Sequence, residues 1–449
     1  MSLDLRKFGQ ILVPILLAFV SSRLITQTDL LMLAPLGQES VGAYSIPARI
    51  MLVDMIVALA LGPILSVSIA KAITLTVQRE IVRNSISLGL YLGAILAAIG
   101  LLIYPLMVQA AVESTIVAEL ARGAILYLTL AIPVRLTLFI GLMLLYGAGR
   151  GREITPFVLF SIVLNAGLNW LFIYHLQWGF KGSYVATVLT SFFELVVILK
   201  LLTQGLSIKE YLRPPNLTWL KGTFRQVGAE WGRLISLQLV NFAMLSLFAT
   251  NESWGERLSV FAVAMEVQAF LLMPMIATMR AVSIVLAAEQ GLQNSSQLYR
   301  ALTAVAVAGI LITISVAGVL VVSGEFLGPW LYGFGHGAIT WWQPFIVVMA
   351  VTVPIYYLNA LQRGAWQSRE KFGFLFLVDG ATQWLLLIPF AYVGLKLGNP
   401  WLTWGGLLVV EISVAVILYV FRDHLNIVLD VEQRGEPGVD TLRVRTENG

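Results

Sequence analysis

The sequence predicts an all-α polytopic membrane protein whose twelve transmembrane helices form two pseudo-symmetric six-helix lobes. Three observations carry that prediction. Of 449 residues, 58% are hydrophobic and only 12% are charged, and the mean hydropathy is +0.84, far from the values of soluble domains. Apolar runs recur along the chain, each close to the ~20 residues that cross a bilayer as helix. Short motifs from the first half return in the second in the same order, as a duplication leaves them.

The runs fall at 8–33, 45–70, 85–109, 121–146, 155–175, 182–203, 226–250, 258–288, 299–323, 342–362, 372–395 and 403–421. The first follows Arg6 and Lys7 and is longer than a signal-peptide core, which predicts a retained span. Proline lies inside several runs, among them Pro14, Pro63, Pro133, Pro274, Pro354 and Pro389, and predicts tilted or broken helices there. Between the sixth and seventh runs stands SIKEYLRPPNLTWLKGTFRQ, the longest internal polar stretch. The chain therefore divides into a first lobe over 1–206, a linker over 207–225, a second lobe over 226–421 and a polar tail over 422–449 too poor in apolar residues for a core of its own.

Charge sets the orientation. With a cytoplasmic N-terminus, 20 of the 29 basic residues lie on the cytoplasmic side, against four on the other and five within spans. The positive-inside rule then places both termini in the cytoplasm, in the cytoplasmic (inner) membrane. The net charge of +4 is accounted for by this asymmetry and calls for no nucleic-acid partner. The expected partners are the bilayer and a small molecule, and the expected state is a monomer. No cysteine is present, so disulfide and thiol chemistry are excluded. His175, His336 and His424 lack metal-ligand spacing and no Walker loop occurs. Neither an enzyme, a resident metal nor ATP drive is indicated, and no cofactor is expected beyond a coupling ion.

The repeat is carried by GAGRGRE at 147–153 and GAWQSRE at 364–370, identical at four of seven positions with an offset of 217. QESVG at 38–42 answers NESWG at 251–255, and VSI at 67–69 answers VSI at 282–284. Six spans per repeat is an even number, so the halves enter the membrane in the same direction and are related by an axis along its normal. Two such bundles leave a cleft between them.

The LVPILL start of the first span, Asp29, the LGQESVGAYSI turn, GAGRGREITPF and NAGLNWLFIYHLQWGFKGSYVATVL together resemble the multidrug and toxic compound extrusion (MATE) family, closer to its DinF-like branch. The resemblance implies a MATE-like fold and alternating access. It also implies antiport, with export of amphipathic, often cationic small molecules (drugs or natural products) driven by H⁺ or Na⁺ entry. In the DinF-like branch it assigns coupling to the first lobe, at positions that read here as Asp29, Asn165, Asn169 and Thr187. The other branch's carboxylates in the seventh and tenth spans read as Gln238 and Tyr356, which implies that the second-lobe cation site is missing. An amide at Asn169 in place of a carboxylate lowers the charge at the site and points to H⁺ over Na⁺, with weak Na⁺ binding at Asp29 as the alternative.

The residues support a polar cluster independently. A carboxylate within a span needs a reason to be there. The fifth span runs outward, so Asn165 and Asn169, one turn apart, share a face near the level of Asp29, and the sixth returns with Thr187. A carboxylate in apolar surroundings can take up and release a proton. Interhelical hydrogen bonding for the asparagines and helix packing for Thr187 are the alternatives. Arg23, Arg49 and Asp54 form a second candidate group, as an ion-pair network or a substrate and gating site. Arg135, Glu194, Glu266, Arg280, Asp379 and Glu411 carry both signs and predict partial mutual neutralisation. Glu230 with Arg233 reads as an interfacial pair, and Trp330, Tyr332, Trp341 and Trp342 as an interfacial belt. Two alternatives stand beside export: a lipid-linked precursor flippase, which would carry unpaired arginines in its cleft, and a non-transporting receptor or scaffold.

Overall fold

A computed structural model describes residues 5–422 except 38–39, 41–42, 45, 48–50, 112–114, 203–206, 250–253, 290–294 and 333. Arg49 and the tail from 423 onward lie outside the described residues.

Among the described residues, eleven helices are long and apolar enough to cross a membrane, and one bent pair counted as a single span makes twelve. In the first lobe these are span 1 (Leu5–Leu33), span 2 (Leu52–Lys71), span 3 (Leu75–Ala111), span 4 (Thr115–Leu130 with Ile132–Gly147), span 5 (Gly151–Asn169 with Trp170–His175) and span 6 (Phe180–Leu202). The second lobe holds span 7 (Leu217–Ala249), span 8 (Trp254–Glu289), span 9 (Ser295–Tyr332), span 10 (His336–Ser368), span 11 (Phe372–Lys396, through Gln383–Leu387) and span 12 (Pro400–Val420). Helix is what a lipid-facing backbone must form, because every N–H and C=O is then satisfied within the segment. Span 4 bends by 55° next to Pro133, whose ring removes a hydrogen bond from the helix ladder, whereas Pro14, Pro63, Pro274 and Pro354, where breaks are also expected, lie inside continuous helices. Spans 5 and 11, counterparts in the two lobes, each contain a π-helical stretch, at Trp170–His175 and Gln383–Leu387.

The lobes pack alike. Span 1 lies on span 5 as span 7 lies on span 11, spans 2 and 3 on span 4 as spans 8 and 9 on span 10, and spans 5 and 11 on 6 and 12. The repeat motif has a structural basis. A Cβ on Gly147 of span 4 would collide with the Ser66 carbonyl of span 2, and one on Gly364 of span 10 would collide with the Met279 carbonyl of span 8. The registers part after this glycine. Span 4 ends at Gly147 and turns through Gly149 (φ +72°), whereas span 10 runs one turn further, to Ser368, before turning through Glu370 (φ +60°).

The linker is shorter than the sequence suggested. Span 7 reaches back to Leu217, because the last helix breaker is Pro215 and Asn216 caps the helix, its Oδ1 accepting from the Thr218 N–H at 2.8 Å. The residues just before it are held by span 3. Ser87 donates to the Arg213 carbonyl, Tyr91 to that of Leu212 at 2.8 Å, and Asn84 accepts from the Asn216 N–H at 3.0 Å.

The two lobes meet on the half of the molecule that bears the chain termini. There one core joins Ile15, Leu61 and Leu144 to Val227, Ile284 and Phe372, and another joins Phe8 to Ala281 and Val285. Lys71 at the end of span 2 pairs with Glu370 of the second lobe at 2.6 Å, and Gln226 holds the other oxygen of Glu370 at 2.6 Å. Toward the opposite face the first lobe has its own core around Leu33, Tyr104 and Ile125, and the second lobe keeps a separate one.

The expected aromatic belt is partly core. Trp330 is exposed, but Trp341 and Trp342 are buried, Trp342 donating its indole N–H to the Gly324 carbonyl at 2.8 Å. Span 10 is central to its lobe, which explains the difference: its outer end meets protein where a peripheral span meets interface.

Candidate functional site

Asp29 stands one turn before the end of span 1, on the face packed against spans 5 and 6. It is 2% exposed, and Asn165 and Asn169 of span 5 are fully buried. Span 5 delivers both asparagines because a separation of four residues keeps them on one helix face. The Asn169 amide donates to Oδ1 of Asp29 at 2.6 Å and to Oδ1 of Asn165 at 3.0 Å. Thr187 of span 6 donates to Oδ2 of Asp29 at 3.3 Å, and the Tyr44 hydroxyl donates to the same oxygen at 2.9 Å. The four residues expected to share a site do so, with Tyr44 as a fifth. Tyr44 follows the first span in GAYSI, where neither periodicity nor charge marks it. Its ring lies 5.8 Å from that of Tyr184.

The carboxylate is therefore held by neutral donors, with no basic side chain within ion-pair distance among the described residues. Oδ1 of Asn169 and Nδ2 of Asn165 are buried without partners. With Asn169 turned over, its oxygen faces Asp29, an arrangement that suits a protonated carboxyl or a cation. Five oxygen-bearing side chains surround the point, but they bring one formal charge. Among the described residues no group of three His, Cys, Asp or Glu is positioned to hold a metal.

Of the second candidate group, Arg49 lies outside the described residues, and Arg23 and Asp54 are not paired with each other. Arg23 is exposed and makes no ion pair among the described residues. Oδ1 of Asp54 accepts from the Tyr104 hydroxyl at 2.9 Å, and its Oδ2 has no partner. Gln238 is half-buried. Tyr356 lies under the Arg363 guanidinium, 5.2 Å from ring centre to carbon.

The second lobe holds a charge chain that sequence reasoning did not assemble. Glu230 and Arg233 form a bidentate pair at 2.6 and 2.8 Å. Arg233 reaches Asp379 at 3.2 Å, Asp379 takes Arg363 at 2.9 Å, and Arg363 reaches Glu411 at 3.4 Å. Asn359 adds a 2.6 Å bond to Glu411. Glu230 is fully buried, so the pair expected at the interface is interior. Span 7 starts nine residues before the predicted 226, which carries Glu230 further into the bundle. The chain crosses spans 7, 10, 11 and 12 and ties the lobe together on its termini-bearing half.

Residues 14–171 match the model of the MatE family. No curated protein matches the chain. The fold is that of solved MATE transporters. One is an outward-facing multidrug-resistance MATE transporter of the MOP superfamily, with 16% identity over 94% of this chain and 96% of that one and a TM-score of 0.82. Another is the Vibrio cholerae MATE transporter VcmN in its bent form, at 14%, 94%, 97% and 0.81. A third is a MOP-superfamily transporter from Pyrococcus furiosus described as having a binding pocket of reversed polarity, at 17%, 94%, 96% and 0.78.

Proposed function

We propose that this multi-pass membrane protein, which carries a MatE domain in a MATE-transporter fold, is a secondary active exporter of amphipathic small molecules, working by alternating access and H⁺ antiport. The observation that carries the reading is the buried Asp29 cluster, a single carboxylate held by Tyr44, Asn169 and Thr187, with no basic side chain within ion-pair distance among the described residues. A proton needs one such carboxyl; Na⁺ prefers several oxygens and more charge to offset its dehydration. Sealing of the lobes on the termini-bearing half fits a state open to the opposite face. On the positive-inside count we read the opposite face as external, in a protein of the cytoplasmic membrane.

The test is export from proteoliposomes against an imposed pH gradient in Na⁺-free buffer, paired with the same measurement under a Na⁺ gradient alone. Transport driven by the pH gradient is expected; full dependence on Na⁺ with no response to pH would overturn H⁺ coupling. For orientation, cysteines at positions 209 and 221 are informative, since both sites are exposed and the native chain has none. Labelling of either from outside intact cells would reverse the assigned topology. The flippase reading stays in view because of one observation: Arg23, Arg135 and Arg280 lack carboxylate partners within ion-pair distance among the described residues.

A further inference from the structure

A cavity of about 40 Å³ lies at the seam between the lobes, bounded by Ile15 and Phe19 of span 1, Phe139 and Met143 of span 4, and Ile276 and Arg280 of span 8. Each row of side chains continues outward from it. Four residues beyond Phe19 stands Arg23, and four before Phe139, on a span running the other way, stands Arg135. From Arg280, steps of seven lead through Met273 to Glu266. Steps of four and seven keep to one helix face.

Arg23, Arg135 and Glu266 are all exposed. A charged side chain in mid-span is costly against lipid, and such residues face a bundle interior or a water-filled cavity. Rows that begin in the inter-lobe cavity put these three on the walls of the cleft above it. Three acids face the arginines. Asp54 near Arg135 is bonded to Tyr104, Glu230 near Arg280 is taken by Arg233, and Glu266 stands on the row of span 8 that leads from Arg280. None stands within ion-pair distance of Arg23, Arg135 or Arg280.

We infer that the cleft holds its amphipathic substrate by an anionic group, a carboxylate, sulfonate or phosphate, bound between Arg23 and Arg135 with Arg280 at the floor, while Phe19, Phe139 and Met143 take the apolar part. This rests on the transport reading above and replaces the cationic substrate that the sequence resemblance implied. Arginine suits the task because its planar donors match such anions in bidentate fashion.

Three xanthene dyes of one skeleton and different charge decide the matter: fluorescein (anion), rhodamine B (zwitterion) and rhodamine 6G (cation). Uptake is measured in phosphatidylcholine proteoliposomes under a pH gradient, beside a parallel assay of NBD-labelled phosphatidic acid translocation. Fluorescein is expected to move in preference to rhodamine 6G, with rhodamine B between. Arg23→Gln and Arg135→Gln should each raise the fluorescein KM by roughly tenfold or more, and Arg→Lys at the same positions should restore part of it, which separates lost binding from misfolding. Preference for rhodamine 6G, with a KM indifferent to both Gln variants, would overturn the inference and leave the exporter standing. Arginine-dependent movement of the labelled lipid without fluorescein transport would keep the anion site and overturn the exporter. Movement of none of the four would overturn both.

Discussion

The Asn169 amide bridges Asp29 and Asn165 with N–H bonds of 2.6 and 3.0 Å, while its own oxygen is buried without a partner. The bridge suits an ionised Asp29, and reversal of the amide suits a protonated one. The same three side chains can therefore serve both ends of a proton cycle without moving the helices that carry them.

Asp29→Asn keeps the size and removes the titratable group. Gradient-driven export should fall to the level of protein-free vesicles, while detergent-purified protein elutes as the native does. Transport at half the native rate or more would show the cluster to be structural.

Asn169→Asp sets a second carboxyl 2.6 Å from the first. Two carboxylates so close cannot both ionise without a cation between them. Export by this variant should become stimulated by Na⁺, which leaves the native rate unchanged. The readout is the rate against Na⁺ concentration at fixed pH.

The Lys71–Glu370 pair is about one-third exposed, so its contribution to stability is small, on the order of 1 kcal/mol or less. Its position across the seam gives it a different weight. Glu370→Gln should bias the lobes toward opening on the termini-bearing face, raising thiol labelling of a cysteine placed at Ser66 beside the cavity. Unchanged labelling would remove the pair from gating.

Gly147→Ala and Gly364→Ala press a methyl group onto a neighbouring carbonyl in each lobe. Overpacking of this kind costs about 1–3 kcal/mol. Both variants should unfold at lower temperature than the native protein in detergent. Gly167→Ala, where a Cβ meets nothing within 4 Å, is the control.

Arg363→Met leaves Asp379 and Glu411 buried with one fewer cation. Breaking a buried ion pair by removing one partner costs on the order of 3–5 kcal/mol. The loss should exceed that of either glycine variant, and Glu411→Gln in addition should recover part of it.

What the sequence could and could not disclose follows from the solvent. Hydrocarbon runs mark where spans are, and an even repeat fixes their order, so the spans were legible. Asp29, Asn165, Asn169 and Thr187 were legible too, because a polar group in lipid is anomalous and a spacing of four residues aligns two of them. Faces were not. In lipid the outer surface and the core are both apolar, so Trp330 and Trp342 read alike although one is exposed and the other buried. Tyr44 falls in a stretch that reads as a turn from sequence but is helical in the structure, and no periodicity marks it. The Glu230–Arg233 pair reads as interfacial because the polar run over 207–225 reads as linker, whereas the Pro215 break and the Asn216 cap inside that run start the helix at Leu217.

The bonds from Asn84, Ser87 and Tyr91 to residues 212–216 make the tether part of the first lobe, with the true joint at Asn216. A ribosome finishing that stretch has already made everything the strap needs, so the first lobe can close on itself before the second is translated. The two halves are thus separable as polypeptides. A chain ending at Pro215 and another starting at the Asn216 cap, made together in one cell, carry the complete surfaces of the shared core and are expected to assemble without the peptide bond.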